Sequence, residues 1–146
     1  LTDFFRRDGE PDVVALMVVT VGQKASDTAR EWFAADRYKD YLHLHGLSVE
    51  CAEGLAEYVH RQVRGELGIA GDDARETRAL FKQGYRGSRF SFGYPACPNL
   101  ADQAVLLDLL GAGRIGIELS EEDQLRHEQS NSALECHHPS AKYFTI

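Results

Sequence analysis

The sequence predicts an α+β fold: a twisted antiparallel sheet with flanking helices. Three observations point there. One run dense in β-branched residues lies near the start, three short strand candidates gather near the end, and amphipathic helical patterns fill the space between. Strands and helices therefore do not alternate as βαβ units, which argues against a doubly wound parallel sheet.

The first run, DVVALMVVTVG (residues 12–22), reads as a buried strand ended by Gly22. SDTAREWFAADRYKDYLHLHG (26–46) reads as a helix capped by Ser26 or Asp27. LSVECAEGLAEYVHRQVRGELG (47–68) gives the clearest helical signal. Ala52, Leu55, Ala56, Val59 and Val63 recur at helical spacing, and Gly68 supplies the stop. Glu53 falls about 100° from the centre of that stripe, at its edge, where a carboxylate can point into a groove beside the core or simply sit at the surface. GDDARETRALFKQGYRG (71–87) predicts a short helix after an acidic turn. LADQAVLLDLLG (100–111) predicts another, with Ala104, Leu107 and Leu110 on one face and Gly111 at its end. RIGIELS (114–120), NSALECHH (131–138) and AKYFTI (141–146) are the short strand candidates. EEDQLRHEQ (121–129) reads as a solvated loop or helical turn.

Composition narrows the function. The 146 residues suit one domain or part of one, and 43% hydrophobic with 27% charged residues is ordinary for a globular chain. Leu1 in place of an initiator Met suggests a chain cut from a longer one. Net charge is −7 and the 16 Lys and Arg residues are scattered, so the basic footprint of a nucleic-acid binder is missing. No apolar run approaches the ~20 residues of a membrane span, and no signal peptide opens the chain. These features predict a cytoplasmic protein. Cys51, Cys97 and Cys136 are odd in number and far apart, which predicts reduced thiols.

RGSRFSFGYPACPNL (86–100) has no periodicity. Pro95 and Pro98 stiffen the backbone, and Gly87 and Gly93 permit turns and close approaches. Two readings compete. The loop could recognise a flat heterocycle through its backbone, with Arg89 receiving a carboxylate. Alternatively, Phe90, Phe92 and Tyr94 could simply plug a core.

The segment RGSRFSFGYPACPNLADQ resembles the Arg-x-x-x-Gly-Tyr-Pro-Ala-Cys-Pro signature of the activation domain of cobalamin-dependent methionine synthase. YLHLHGLSVECAEGLAEYVHRQVRGELG upstream and LSEEDQLRHEQSNSALECHHPSAKYF downstream resemble that domain's long helix and closing segment, in the family's order. The resemblance implies the C-terminal portion of such a domain over residues 1–146, with the family's N-terminal part missing. It also implies a module that binds S-adenosylmethionine and caps a cobalamin-binding domain. There, an electron from a flavodoxin or flavoprotein reductase and the ligand's methyl group convert cob(II)alamin to methylcobalamin.

Carried over residue by residue, the resemblance implies ligand contacts from Glu53, Gln83, Arg89, Ser91, Tyr94 and Tyr143. Arg89 would take the methionyl carboxylate, and the backbone of 91–94 the adenine or ribose. Glu53 would face the positively charged end of the ligand, with Tyr94 and Tyr143 near the methyl donor and the corrin. Some members carry Glu at the position of Gln83, and others Ala at that of Ser91. The family's Asp from an upstream aromatic-rich segment has no counterpart here. Methyl transfer by displacement at a sulfonium carbon needs no protein nucleophile, only positioning. As part of the larger enzyme the chain would belong to a methyltransferase, inactive on its own.

Two other readings compete: a capping or interaction domain that has kept the fold without the ligand site, and a small-molecule binder unrelated to cobalamin. His43 and His45 would point about 200° apart on a helix, and adjacent His137 and His138 to opposite faces of a strand, so neither pair predicts a metal site. Cys97 reads as a packing residue, since a nucleophile would need a depressed pKa.

Overall fold

The computed structural model describes residues 1–143. β1 (Ala15–Thr20), β5 (Ser130–Cys136) and β2 (Ser88–Ser91) form an antiparallel sheet in the order β1-β5-β2. Ala15 faces Glu135 across one side of β5, and Arg89 faces the same Glu135 across the other. A small hairpin, β3 (Glu118–Leu119) with β4 (Leu125–Arg126), stands apart from that sheet. The predicted α+β class with an antiparallel sheet holds.

Helices cover both faces of the sheet. α1 (Gln23–Ala34) leads into α2 (Tyr38–Glu66), α3 (Thr77–Leu80) is a single turn, and α4 (Gln103–Leu110) follows the proline-rich loop. Strand alternation sorts the core between them. Met17 and Val19 of β1 pack with Ala133 of β5 against Ala56 of α2. Leu16 and Val18 point the other way, onto Leu106 and Leu107 of α4 and Ile117. A third cluster joins Phe90, Cys136 and Ala141 to Phe4 and Phe5 from the N-terminal turn.

Several boundaries differ from those predicted. The helical break comes at Ala35–Arg37, where Asp36 takes φ +59, and not at Gly46, through which α2 runs unbroken. Gly46 faces open space, so its missing side chain leaves no hole in the packing. α1 starts at Gln23, because the Ser26 hydroxyl is taken by Gln129 across the fold instead of capping a helix. Gly68 does stop α2, at φ +71. The buried side of α2 is Ser48, Ala52, Ala56, His60 and Arg64, while Leu55 of the predicted stripe is exposed. On α4 the covered side chains are Gln103, Leu106 and Leu107, with Ala104 outside. Gln103 turns inward because its amide is paired at both ends, to the Ser132 hydroxyl and the Asp123 carbonyl. Residues 121–129 carry β4, and 141–143 form no strand; the rest of the 141–146 candidate lies outside the described residues.

Candidate functional site

The aperiodic segment divides by residue. Its first part is β2, whose alternation buries Ser88 and Phe90 and turns Arg89 and Ser91 toward α2. Phe90 is 1% exposed and Phe92 packs onto the α4 cluster, so both belong to the core. After β2 the chain reverses tightly: Gly93 N–H donates to the Cys97 carbonyl at 2.8 Å, and Cys97 N–H to that of Tyr94 at 2.9 Å. Gly93 sits at φ +83, a backbone conformation that residues with side chains rarely adopt, with the Leu100 side chain against it. Tyr94 is consequently displayed, 55% exposed. Packing and display both apply to this segment, to different residues.

An open cleft of about 1180 Å³ lies between α2, β2, the 80–85 turn and the 142–143 segment. Glu53, Gln83, Arg89, Ser91, Tyr94 and Tyr143 all line it. Glu53 accepts a hydrogen bond from Asn131 Nδ2 at 2.7 Å. Gln83, at φ +53, donates through Nε2 to the Ser88 hydroxyl at 3.1 Å and accepts from the Tyr143 backbone N–H at 3.0 Å. Lys142 Nζ donates to the carbonyls of Gln83 and Tyr85 at 3.0 and 3.1 Å, closing the 142–143 segment onto that wall.

Beneath Arg89 lies an ionic network that sequence patterns do not mark. Arg89 Nη1 donates to Glu57 Oε2 at 3.1 Å, and Tyr85 Oη donates to the same oxygen at 3.3 Å. Arg64 Nη2 stands 3.6 Å from Glu57 Oε1. Arg64 is 0% exposed; its Nε and Nη2 bond to the carboxylate of Asp73, and its guanidinium lies over the Tyr85 ring, 4.0 Å from the centroid. His60 and Glu135 are fully buried beside this network, with no hydrogen-bond partner for their side chains among the described residues. Burial, with Arg64 and Arg89 nearby, drives His60 down to about 3, so its ring is neutral. Burial pushes Glu135 up to about 7, against the pull of Arg89 and Arg64. Tyr85 is also raised, by burial first and then by the Glu57 charge.

Burial shifts the Cys97 thiol upward, the opposite of what a nucleophile needs. Among the described residues no group of three or more His, Cys, Asp or Glu side chains could hold a metal ion. No helix there is long and apolar enough to cross a membrane.

The chain as a whole has relatives among known proteins. The family model for the activation domain of vitamin B12-dependent methionine synthase matches residues 1–146. The chain belongs to this family. Methionine synthase of Mycobacterium tuberculosis is 50% identical over 144 residues, covering 94% of this chain and 12% of that protein. Methionine synthase of Mycobacterium leprae is 46% identical, covering 100% of this chain and 13% of its own length. The chain thus spans about one eighth of these relatives. Among solved structures, the MetH reactivation domain bound to AdoHcy superposes with a TM-score of 0.84 at 28% identity, over 90% of this chain and 41% of that one. The superposition covers the α+β fold described above, helices with an antiparallel sheet.

Proposed function

We propose that this chain is the S-adenosylmethionine-binding reactivation module of cobalamin-dependent methionine synthase. In the whole enzyme, a methyltransferase, it supports reductive methylation of cob(II)alamin to methylcobalamin. The observation that carries the reading is the lining of one cleft by a guanidinium with unused donors, a carboxylate and two displayed tyrosines: Arg89, Glu53, Tyr94 and Tyr143. S-adenosylmethionine carries a carboxylate, an ammonium, a sulfonium and a flat heterocycle, and this lining has a counterpart for each.

Arg89 would take the carboxylate, since a planar guanidinium binds two oxygens at once. Glu53 favours the cationic end of the ligand. Gln83 and Ser91 add neutral hydrogen-bonding capacity, and Tyr94 and Tyr143 flank the methyl donor and the corrin. The bound ligand supplies an activated methyl group; this chain supplies orientation and shelter from water. The cobalamin-binding domain of the same enzyme and a flavodoxin or flavoprotein reductase are its partners, and the isolated chain has no turnover of its own.

Calorimetric titration of S-adenosylmethionine into this chain, and into one extended at its N-terminus, tests the reading. Arg89→Ala is expected to weaken binding by about 10- to 100-fold, the value of a charge-assisted bidentate contact, while leaving the melting temperature close to that of the parent. Equal affinity in parent and variant refutes the carboxylate assignment. Absence of binding by both folded chains favours a capping domain without a ligand.

A further inference from the structure

A second cavity, of about 940 Å³, opens between the β3–β4 hairpin, α1 and the first turns of α2. Gln124 and Leu125 of the hairpin border both this cavity and the cleft, whereas Phe33, Tyr41 and His45 border only this one. Those three form a ladder of rings along one wall. Phe33 meets Tyr41 edge-on at 5.1 Å, and Tyr41 lies against His45 at 5.7 Å with their planes 29° apart. Phe33, near the end of α1, is 57% exposed, so the core makes little use of it.

The polar side of the cavity is tied down. Gln129 is 3% exposed, and its side-chain oxygen accepts from the Ser26 hydroxyl. Its amide nitrogen is thereby turned to His45 Nδ1, 3.2 Å away. An amide nitrogen only donates, so Nδ1 is the acceptor and the one proton of the neutral ring sits on Nε2. Among the described residues nothing accepts that Nε2 hydrogen. The relay Ser26–Gln129–His45 ends in a single oriented N–H beside an aromatic wall.

Charge around the cavity offers no surplus for an anion. Arg30 pairs with Asp27 at 3.4 Å, and Arg126 stands opposite Glu118 across the hairpin. Glu128 Oε2 lies 3.8 Å from His45 Nδ1 on a side chain 80% exposed, where water screens it. His127 spends its Nε2 on the Gly116 carbonyl at 3.1 Å. A cation meets the wrong end of the His45 N–H. A flat ring that stacks and also accepts one hydrogen bond gains from both features.

We propose that this cavity is a second ligand site, separate from the cleft, for an uncharged heteroaromatic ring. The ring stacks on the Phe33–Tyr41 wall, and its in-plane acceptor takes the His45 Nε2 hydrogen.

Two flat bicyclic probes of similar size test this at pH 8: quinoline, whose ring nitrogen accepts, and indole, whose ring nitrogen only donates. Amide spectra of the nitrogen-15-labelled chain are followed as each is added. Saturable shifts are expected at Phe33, Tyr41 and His45, with quinoline bound about threefold or more tighter than indole, the value of one neutral hydrogen bond. Imidazole nitrogen signals of the free chain should show His45 protonated at Nε2 and bare at Nδ1. His45→Phe keeps a ring and removes the donor, so there the two probes should bind alike. A quinoline preference retained in His45→Phe overturns the proposal. So does a protonated Nδ1 in the parent, a lack of saturable shifts with either probe, or shifts confined to residues of the cleft. Should His45→Phe fail to melt cooperatively, Phe33→Ala removes an exposed ring and should weaken both probes by about threefold. Unchanged affinity for both probes in Phe33→Ala overturns the proposal as well.

Discussion

Replacing Glu135 by glutamine tests the electrostatics under the cleft most directly. Glu135 stands on the central strand between Arg89 and Ala15, fully buried, and its carboxyl is pushed up to about 7. In the unfolded chain it titrates near its ordinary value of 4.5. Between these values the folded protein holds a proton that the unfolded chain has lost, so stability falls as pH rises. The contribution is complete below about pH 4.5 and gone above about pH 7. At about 1.4 kcal/mol per unit, the total is about 3 kcal/mol, a large share of the 5–15 kcal/mol that typically holds a domain together. Glutamine keeps the shape and never ionises. The stability of Glu135→Gln minus that of the parent should therefore climb by about 3 kcal/mol between pH 4 and pH 8. Its amide donors gain no partner, which lowers the whole difference curve by about 1–3 kcal/mol without changing its slope. His60 pulls the opposite way, since a ring held neutral down to about 3 loses stability as pH falls below its ordinary 6.5; taking the difference removes that effect. Urea denaturation at unit pH steps gives the curve. A flat difference between pH 4 and pH 8 refutes the claim that Glu135 is protonated in the folded protein.

Two further outcomes follow from the packing. Gly87 sits at φ +89, where an added Cβ would meet the Cys136 carbonyl oxygen at 2.5 Å. Gly87→Ala should cost at least ~2 kcal/mol, read by urea denaturation, and an unchanged midpoint excludes this close approach. Cys51 is exposed, whereas Cys136 is 0% exposed with its thiol pushed up to about 11 by burial. Iodoacetamide at pH 8 should modify Cys51 in the folded chain and reach Cys136 only in denaturant; mass spectrometry of the peptides decides.

The parts of the fold legible in the sequence are those with local causes. β1 follows from its β-branched run, and the ends of α2 and α4 from Gly68 and Gly111, both with positive φ. The misplaced helix break shows the limit of that logic. Gly46 carries a penalty of about 1 kcal/mol in a helix, but tertiary packing along a 29-residue helix outweighs it. The real reversal falls to Asp36, a residue type that tolerates left-handed geometry. The buried face of α2 was illegible for a different reason. His60 and Arg64 are polar, and what makes their burial tolerable for Arg64, namely Asp73 and Tyr85, lies outside any helical window. The same applies to Glu57: helical spacing and family likeness both reach its neighbour Glu53, whereas its own partner, Arg89, lies 32 residues away.

β2 ties fold and site into one choice. Across its four residues, Ser88 and Phe90 are buried, while Arg89 and Ser91 face the cleft. Because successive strand residues face opposite sides, the contact that seats Phe90 among Cys136 and Ala141 also aims Arg89 at Glu57. A one-residue slip against β5 would put a guanidinium into the apolar cluster and a phenyl ring onto the ionic floor, both at high cost. α2 completes the placement. Ala52 and Ala56 are small enough to bring its backbone close to the sheet, and each is followed in sequence by the glutamate that faces the cleft, Glu53 or Glu57. The positions of Arg89, Glu53 and Glu57 are thus fixed by the burial of their immediate neighbours, so substitutions at Phe90 or Ala56 should disturb the cleft even though neither side chain lines it.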